Sequence, residues 1–343
     1  MIGVNNAMNG VNNAKSRSSI INLRLMILGA LLTPSCLPAS SKPLPAFPKP
    51  LPAFPKPLPA FPKPLPAFPK PLPAFPKPLL AFPKPLPASS KPSPALPAVV
   101  LEAPPSNQPV KAVFAVGEYL RYRLHYGFVD AGVGELKVMD EPVVLRGQPC
   151  YHIVATGSTT RSFDWIYKVR DRYESYVTIG TMVPLLFKRD IYEGGFSYRD
   201  SYAFDHSTRR ATSDGNQYVV PEYVQDIVSA FYAARSLDFS QAVVGQVFEL
   251  PLFLDHETHR FIFRFKGRRT VSTDAGSFRA LVFMPVVMKG RVFSSQDDLV
   301  VYISDDENKI PLQIKANILV GSVKMTLTEH RGLRHPLSSK VSR

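Results

Sequence analysis

The sequence predicts a mainly β domain, a single curved antiparallel sheet or half-barrel with one covering α-helix, preceded by a disordered proline-rich tract. Three observations predict it. The first patterned stretch alternates apolar and polar residues with the period of two that a half-buried strand requires. Strand patterns then recur about every ten residues from 113 to 331, and one segment has helical spacing. Because a sheet of a dozen or so strands does not stay flat, we expect it to curl into a shell that fills with side chains or holds a ligand.

Composition divides the 343-residue chain into two unequal parts. Residues 1–100 hold 24 of the 35 prolines and 11 of the 41 lysines and arginines, and they contain no aspartate or glutamate. Subtracting those 11 charges from the net charge of +14 leaves +3 for residues 101–343. A nucleic-acid-binding domain carries a basic face on the folded domain itself. The nearly balanced charge of the folded part therefore argues against nucleic acid as a partner.

Residues 1–40 are predicted to form an export signal. Three basic residues precede the apolar stretch 25–32, whose eight residues suit a signal peptide and are too few to span a bilayer as a helix. The order Thr-Pro-Ser-Cys that ends at Cys36 resembles the lipobox of bacterial lipoproteins, with threonine in place of the usual aliphatic residue. Cys36 is the predicted lipidation site and membrane anchor, and ordinary cleavage after Ala39 is the alternative. Either way we expect an exported protein, periplasmic or anchored to the outer membrane and facing the periplasm.

Residues 41–112 are predicted to form a disordered spacer and linker. From Lys42 the heptad KPLPAFP recurs, with Leu80 in place of one proline. Proline at three of seven positions removes backbone donors and fixes φ, which favours a polyproline-II-like chain. Residues 42–97 would reach roughly 170 Å if fully extended at ~3.1 Å per residue. The regular lysines suit contact with anionic envelope polymers or lipid head groups, whereas the near-identity of the copies favours a recently expanded repeat without a role.

The structured domain, predicted at residues 113–331, opens with a hairpin. A turn is predicted at residues 129–132, before a partner strand at 134–139. The apolar residues of the first strand share one face of the sheet, and we expect that face to point inward. Together with one residue of the predicted helix they are the candidate wall of a ligand cavity, and packing in a closed core is the alternative. These six residues are Leu120, Tyr122, Leu124, Tyr126, Phe128 and Phe231.

The later strands are predicted from short runs bounded by turn residues. They cover residues 151–156, 171–179, 183–192, 196–204, 246–254, 259–266, 278–287, 299–304, 310–317 and 323–329. In residues 221–237 apolar side chains instead recur at intervals of three and four residues. This spacing predicts an amphipathic helix that covers one face or one open end of the sheet. Asp226 and Arg235 are predicted to be a partner pair that ties this helix to the sheet. Residues 332–343 are predicted to be a disordered tail.

No motif in the chain predicts a reaction. The segment Asp-His-Glu-Thr-His at 255–259 lacks one residue of the HExxH zinc spacing, so a solvated turn is favoured over a metal site. The charged residues between 161 and 174, around Trp165, favour cross-strand ion pairs, with a polar ligand site as the alternative. Cys150 is expected to be a small buried hydrophobe. Since no GxSxG elbow, phosphate-binding glycine loop or Cys/His cluster occurs, we predict no catalytic residue, metal or cofactor and favour a protein that is not an enzyme.

Several spaced blocks carry a family resemblance. They are Phe114, Gly117-Glu118, Tyr122, Tyr126-Gly127, Ala131-Gly132, Asp171-Arg172-Tyr173, Pro184, residues 226–235, residues 302–306, Ile310-Pro311 and Gly321-Ser322. Together they resemble the DUF3108 family of exported bacterial proteins, over nearly all of residues 113–329 and none of the heptad tract. The resemblance implies a β-rich periplasmic or membrane-anchored protein of unknown function. A LolA/LolB-like half-barrel is its fold analogy, which by itself establishes no function.

The leading functional prediction is an exported cell-envelope protein without enzymatic activity. It would bind an apolar or lipid-like ligand, or another envelope component, on the concave face of the sheet, with the helix as a gate. The alternative is a structural or scaffolding protein tethered by the cationic proline-rich spacer. An envelope hydrolase is the third candidate.

Overall fold

The computed structural model describes residues 111–286, 298–317 and 321–342, together with the backbone of Val99–Val100. The predicted export signal at residues 1–40, its Cys36 and nearly all of the predicted spacer lie outside the described residues and stay predictions. Within the described part of the chain, no helix is both long enough and apolar enough to cross a membrane.

Sixteen strands and two short helices make up the described part of the chain. The strands are β1 (Val99–Val100), β2 (Tyr119–Tyr126), β3 (Val129–Val138), β4 (Val143–Leu145), β5 (Gln148–Thr159), β6 (Val169–Thr178), β7 (Pro184–Glu193), β8 (Phe196–Asp205), β9 (Arg210–Ser213), β10 (Asn216–Val219), β11 (Val247–Leu254), β12 (Glu257–Thr273), β13 (Gly276–Pro285), β14 (Leu299–Ser304), β15 (Pro311–Asn317) and β16 (Ser322–Arg331). The helices are α1 (Arg161–Asp164) and α2 (Ile227–Arg235).

All sixteen strands belong to one sheet. Their order is β1-β11-β12-β13-β14-β15-β16-β2-β3-β5-β6-β7-β8-β9-β10, with β4 attached to β5. Every pairing is antiparallel except that of β1 with β11. Most neighbours in the sheet are also neighbours in sequence, so the sheet is largely a meander. The predicted fold class, mainly β with a single antiparallel sheet, is confirmed.

The segment that follows β10 brings the two sides of the sheet together. Gln225 pairs in parallel with Leu252 of β11: its N–H donates to the carbonyl oxygen of Pro251 at 2.9 Å, and its own carbonyl accepts from the N–H of Phe253 at 2.8 Å. The ring of Tyr202, on β8, lies 5.1 Å from the ring of Phe253. The sheet is therefore curled, and the side chains of its concave face form the core.

The first hairpin turns earlier than the alternating pattern predicts. Gly127 has a φ of +57°, and β3 already begins at Val129. Phe128 therefore lies at the tip of the hairpin, where its side chain is fully exposed, at 105 % of the reference area. The predicted turn at residues 129–132 and the predicted inward position of Phe128 are both wrong. The reason is that glycine adopts a left-handed conformation at little cost, so Gly127 sets the position of the turn.

Helix α2 is shorter than the predicted helix at residues 221–237. Tyr223 has a φ of +56°, and Gln225 is hydrogen-bonded to β11, so the chain becomes helical only after Asp226. The apolar spacing before Asp226 belongs to a segment packed beside the sheet, which the helical period alone does not distinguish from the helix.

The C-terminal segment is ordered by hydrogen bonds to the loop between β14 and β15. The hydroxyl of Ser339 donates to Asp306 at 2.6 Å, and the side-chain amide of Asn308 donates to the carbonyl oxygen of His335 at 2.9 Å. The prediction of a disordered tail at 332–343 is therefore wrong for residues 332–342. These contacts join side chains to distant loops and leave no periodic pattern in the sequence.

Candidate functional site

The concave face of the sheet is filled by large apolar side chains beneath α2. The rings of Phe248 and Phe263 stack at 5.5 Å, and those of Phe239 and Phe283 lie 4.7 Å apart. Between them and Phe231 of α2 remains a crevice of about 30 Å³, lined by apolar side chains. Such a volume holds about one or two water-sized groups. In this conformation the aromatic region is packed and has no room for an acyl chain.

Five of the six predicted wall residues lie on this face or at its border, and one of them, Tyr126, also packs against a smaller core. Leu120, Tyr122 and Leu124 are buried, and the hydroxyl of Tyr122 donates to the carbonyl oxygen of Pro311 at 3.1 Å. Phe231 is half-buried and lines the crevice. Core packing accounts for the positions of the first three. A contact of these residues with a ligand stays a prediction.

Tyr126 turns toward the end of the sheet. A β-bulge after Leu124 interrupts the alternation of β2, and the half-buried ring of Tyr126 lies 6.4 Å from Phe163 of α1. With the exposed Phe128 beyond it, the last part of the predicted wall belongs to the end of the sheet. The bulge and the glycine turn together explain why the period of two does not extend to these residues.

A buried ion pair fixes the C-terminal end of α2 to the start of β2. The guanidinium of Arg235 donates to both carboxylate oxygens of Glu118, at 2.7 and 2.8 Å, and both side chains are completely buried. Arg235 also donates to the carbonyl oxygen of Asn308 at 3.0 Å and lies 4.9 Å from the centre of the Tyr232 ring. Although burial disfavours the charged guanidinium, Glu118 holds the pKa of Arg235 above its usual value.

The N-terminal end of α2 is fixed by Asp226. Its carboxylate accepts the N–H groups of Val228 and Ser229, both at 2.8 Å, and the hydroxyl of Ser175 on β6 at 2.5 Å. Burial raises the pKa of Asp226 to about 6, against the lowering effect of these donors. Asp226 and Arg235 do tie the helix to the sheet as predicted, but through separate partners.

These two attachments bear on the predicted gating role of α2. A helix held at one end by a buried bidentate ion pair, and at the other by a buried capping carboxylate, is rigidly attached to the sheet. These attachments disfavour the predicted role of α2 as a gate.

A buried polar cluster lies on the other half of the curled sheet. Arg189 of β7 donates to Asp200 of β8 at 3.1 Å and to Asp255, in the turn after β11, at 2.6 Å. It also donates to the hydroxyl of Tyr202 at 3.0 Å. Against the effect of burial, the hydroxyls of Tyr202 and Ser213 and the Arg189 guanidinium hold the pKa of Asp200 below its usual value. The cluster fastens β7 and β8 to β11.

Another buried acid, Asp171, lies on β6 next to Glu193. Burial raises the pKa of Asp171 to about 6, while the N–H of Tyr192 and the Glu193 side chain lower it. Burial and the charges of Asp171 and Glu193 raise the pKa of the neighbouring Tyr173 well above its usual value. Burial therefore favours the protonated form of Asp171.

An open cleft of about 420 Å³ lies at the end of the sheet where β5 and β7 begin. Its walls come from the β4–β5 turn, the β6–β7 loop, the end of β8 and residues 222–223. Its lining combines apolar and polar side chains. The lining residues are Arg146, Gln148, Thr181, Val183, Leu185, Phe204, Asp205, His206, Ser207, Glu222 and Tyr223.

Four polar groups set the electrostatics of the cleft: Arg146, His206, Asp205 and Glu222. The guanidinium of Arg146 donates to the carbonyl oxygen of Phe204 at 2.8 Å and has no carboxylate partner among the described residues. Burial lowers the pKa of His206, whose Nε2 lies 2.7 Å from the carbonyl oxygen of Pro184. The hydroxyl groups of the following turn, and its N–H groups, hold the pKa of Asp205 at about 2. Glu222 also lines the cleft and pairs with Arg209 at 3.5 Å. The cleft therefore presents one cation without a carboxylate partner, next to apolar side chains and to two carboxylates that are engaged with other groups.

The remaining sequence motifs serve the fold. Asp255 of the 255–259 segment binds Arg189, and no group of three metal-ligating side chains occurs in the described residues. Between residues 161 and 174, Arg170 pairs with Asp164 and Arg172 pairs with Glu174. Cys150 is buried and carries a free thiol, whose pKa burial raises.

The sequence patterns miss the residues of the cleft, the carboxylate partner of Arg235, and the Arg189 cluster. The cleft residues lie in separate turns and show no common pattern. Glu118 and Arg235 lie 117 positions apart, and only the folded chain brings them together. Arg189 and Asp200 could be found from the sequence, because each alternates in step with aromatic residues that point into the core from the same strand. A charged residue on the core-facing side of a strand indicates a buried polar cluster.

The profile of the family described as "protein of unknown function (DUF3108)" matches residues 121–328. The chain belongs to the DUF3108 family. The predicted resemblance is thereby confirmed, and the match covers both ends of α2 and every strand from β3 to β15. No curated protein sequence matches the chain.

Three solved structures are similar to the chain. A β-barrel-like protein with a DUF1849 domain, from Brucella abortus, is 10 % identical over 64 % of this chain and 99 % of its own, with a TM-score of 0.44. A protein from Parabacteroides distasonis, provisionally described as a lipoprotein, is 12 % identical over 65 % of this chain and 100 % of its own, with a TM-score of 0.29. A protein from Bacteroides fragilis with a YmcC-like fold, provisionally described as exported, is 8 % identical over 65 % of this chain and 99 % of its own, with a TM-score of 0.29. We draw no functional conclusion from these scores.

Proposed function

We propose that this DUF3108 protein is an exported, non-enzymatic binding protein of the cell envelope, and that an anionic amphiphile binds in the cleft beside Arg146. The observation that carries the proposal is the cleft itself. Its volume of about 420 Å³ lies within the range of small-molecule sites, and it combines an apolar wall with a cation that has no carboxylate partner among the described residues. Export follows from the signal predicted at residues 1–40.

The cleft suits a ligand with an apolar part and an anionic part. Val183 and Leu185 supply the apolar wall, while Phe204 is completely buried behind it and contributes its carbonyl oxygen to Arg146. The guanidinium of Arg146 has five N–H donors, of which one binds a backbone carbonyl, so others are available to a phosphate or carboxylate. Burial of the apolar part would stabilise the complex, and the guanidinium would select the anionic group.

Backbone strain at the rim supports the same site. Tyr223 lines the cleft with a φ of +56°, and Arg146 lines it with a φ of +51°. A left-handed conformation at a residue other than glycine costs about 1–3 kcal/mol and is concentrated at functional sites. The turn at Arg146 and Gly147 is also the type that two-residue hairpins favour, so Tyr223 is the stronger indication.

The polar groups of the cleft support binding rather than catalysis. Ser207 donates its hydroxyl to Asp205 at 2.6 Å, while His206 is engaged with the carbonyl oxygen of Pro184. The serine and the histidine are therefore not paired as a nucleophile and its base. This arrangement disfavours the envelope hydrolase among the three predicted functions.

Calorimetric titration with dihexanoyl phosphatidylglycerol, a monomeric anionic amphiphile, tests the proposal. We expect saturable binding, weaker binding of dihexanoyl phosphatidylcholine, and a loss of roughly 10-fold or more in affinity for Arg146→Asn, because a charge-assisted hydrogen bond contributes about 1.5–3 kcal/mol. Asparagine tolerates the left-handed turn, so the substitution removes the charge and keeps the backbone. Arg264→Asn, on the exposed side of β12, is the charge-matched control and should bind as the wild type does. Absence of binding, or equal affinity for Arg146→Asn, would contradict the proposal.

A further inference from the structure

The exposed phenylalanine and tryptophan side chains of the described residues all lie at one end of the sheet. They are Phe128 in the β2–β3 turn, Trp165 after α1, and Phe196 at the start of β8. Trp165 is 82 % exposed. Two exposed aliphatic side chains, Val129 and Ile166, adjoin them in sequence. We call these five residues the apolar tip.

The three loops that carry the apolar tip are joined to one another. The N–H of Thr160, at the start of the β5–β6 loop, donates to the carbonyl oxygen of Ala131 on β3 at 2.9 Å. At the other end of that loop, the carbonyl oxygen of Lys168 accepts the N–H of Gly194, in the β7–β8 turn, at 2.8 Å. The tip is therefore one continuous surface built by three loops.

A small separate core supports this surface. Phe163, Tyr167 and Val169 are buried together, and Tyr126 and Ala131 of the first hairpin pack against them. This core is distinct from the main core beneath α2. Because Phe163 and Tyr167 flank Trp165 and Ile166 in sequence, this core gives the loop a fixed base.

Trp165 is exposed on a rigid loop and not on a loose one. The preceding residue, Asp164, accepts two hydrogen bonds from the guanidinium of Arg170, at 3.0 and 2.6 Å, and one from the hydroxyl of Thr159 at 2.6 Å. The hydroxyl of Thr159 in turn accepts the N–H of Val169 at 2.9 Å. A large aromatic side chain held outward by a well-bonded loop indicates an interaction surface.

Two cations beside the apolar tip have no carboxylate partner among the described residues. Of the two exposed or half-buried acids in its loops, Asp164 forms a salt bridge with Arg170, and Asp130 lies 2.7 Å from the ring of His125. Arg161 is exposed and has no carboxylate partner among the described residues, and the ammonium of Lys168 lies 5.5 Å from the centre of the Tyr192 ring. The tip therefore has two cations that no acid neutralises through a salt bridge.

We propose that the apolar tip docks on the surface of an anionic lipid bilayer. Side chains at the ends of separate protruding loops fit between lipid head groups, where tryptophan and phenylalanine are favoured. The two flanking cations match an anionic surface, on which each contributes to binding. A protein partner would require a complementary pocket for these projecting rings, whereas a bilayer accepts them without one.

The docking surface is independent of the proposed cleft. Strands β5 to β8 run from one to the other: the apolar tip lies where β6 and β8 begin, and the cleft lies where β5 and β7 begin. A ligand in the cleft would remain accessible while the opposite end contacts the bilayer. Variants at the two sites therefore have separable effects.

The chain contains a single tryptophan, so the emission of Trp165 reports on the apolar tip alone. The test uses the full chain with Cys36→Ser, which prevents acylation, and vesicles of phosphatidylcholine with or without phosphatidylglycerol. With phosphatidylglycerol we expect the emission to shift to shorter wavelength and to be quenched by lipids brominated on the acyl chain. Vesicles of phosphatidylcholine alone should give a weaker shift.

Two double variants measure how much the aromatic rings and the cations of the apolar tip contribute to vesicle affinity. Phe128→Ser with Phe196→Ser should weaken vesicle affinity by roughly 10-fold or more, since burial of each ring is lost. Arg161→Gln with Lys168→Gln should weaken it by roughly 30-fold on anionic vesicles, at about one factor of five per cation. All four side chains are exposed, so the fold is retained.

Two control double variants lie away from the apolar tip. Val144→Ser with Val219→Ser, and Arg264→Gln with Lys266→Gln, alter exposed residues away from the tip and should leave affinity unchanged. Sedimentation of the protein with vesicles without a shift in Trp165 emission would show binding through the lysine-rich repeats and overturn the proposal. Unchanged affinity of both tip variants, or a shift produced by a protein partner and by no vesicle, would overturn it as well.

Discussion

How much a single ion pair contributes to the stability of this protein depends on its burial. Glu118 and Arg235 are completely buried and bound through two hydrogen bonds, whereas Asp190 and Arg199 form a pair on the surface of β7 and β8. An exposed pair contributes about 0–1 kcal/mol. Removing one partner of a buried pair leaves an uncompensated charge and costs about 3–5 kcal/mol. The same chemistry therefore has different consequences at the two places.

Glu118→Gln should lower the free energy of unfolding by about 3–5 kcal/mol, because Arg235 would keep its charge without a carboxylate. Urea denaturation measures the change. Asp190→Asn, in the exposed pair, is the control and should change stability by less than about 1 kcal/mol. Equal effects of the two substitutions would show that the buried pair does not hold α2 to the sheet.

Asp226 predicts a specific pH dependence. Because its pKa rises to about 6 on folding, the folded state binds the proton more tightly than the unfolded state. The contribution of Asp226 to stability should therefore fall as pH rises from about 4 to about 6 and stay level above that range. The difference in unfolding free energy between the wild type and Asp226→Asn separates this contribution from those of other acids such as Asp171, whose pKa is also raised to about 6. Asp226→Asn keeps an N-cap acceptor without the charge, and should raise stability at pH 7 by on the order of 2 kcal/mol. Urea unfolding at pH 4 and pH 7 measures both effects, and a less stable variant at pH 7 would contradict them.

Single residues were the least predictable level of the structure. The alternation of β2 correctly places Leu120 and Tyr122 in the core, since side chains of one parity share a face. It does not extend to Phe128, because a bulge and the left-handed Gly127 end the alternation first. The partner of Arg235 could not be predicted either, since no local pattern relates residues so distant in sequence.

Secondary-structure elements are more predictable, because the alternation that marks a strand involves residues that are consecutive in the sequence. The ten later strand predictions each coincide with an observed strand, from β5 to β8 and from β11 to β16. The strands β4, β9 and β10 have three or four residues each, too few to show a period. The helix was found by its spacing, but its start depended on the capping of Asp226.

The contact between the β7–β8 turn and the β5–β6 loop gives a prediction at this scale. Gly194 has a φ of +55°, and a Cβ there would lie 2.4 Å from the ring of Tyr167. Gly194→Ala should therefore displace the loop that carries Trp165 and cost about 1–3 kcal/mol in unfolding free energy, beyond the cost of the left-handed backbone. The emission of Trp165 should change with it.

Gly195→Ala is the matched control for this substitution. Gly195 also has a positive φ, of +88°, but a Cβ there meets nothing within 4 Å. Only the backbone cost, roughly 1 kcal/mol, should then appear. If the two alanine variants are equally stable, the packing of Gly194 against Tyr167 is not what joins the two loops.

At the scale of the whole molecule, the curled sheet separates two surfaces. The cleft beside Arg146 lies at one end of β5 to β8, and the apolar tip around Trp165 lies at the other. The sequence predicts the curl from the number of strands. It does not predict which end carries which surface, because both are assembled from turns that are distant in the chain.

The heptad tract should contribute to reach and not to stability. Deleting residues 42–97 should leave the thermal midpoint of the domain unchanged, since the tract is predicted to be a polyproline-II-like spacer. Calorimetry of the full chain and of the deletion variant measures this. A lower midpoint for the deletion would mean that the tract packs on the domain. A loss of cellular function with an unchanged midpoint would favour the predicted scaffolding role.

The identification of ligands that co-purify with the protein tests the binding role most directly. Wild type and Arg146→Asn would be isolated from the same cells under native conditions, and bound molecules would be extracted and measured by mass spectrometry. We predict an anionic amphiphile in near-stoichiometric amount with the wild type and at least tenfold less with Arg146→Asn. No bound amphiphile with the wild type, or equal amounts with both proteins, would contradict a binding site in the cleft.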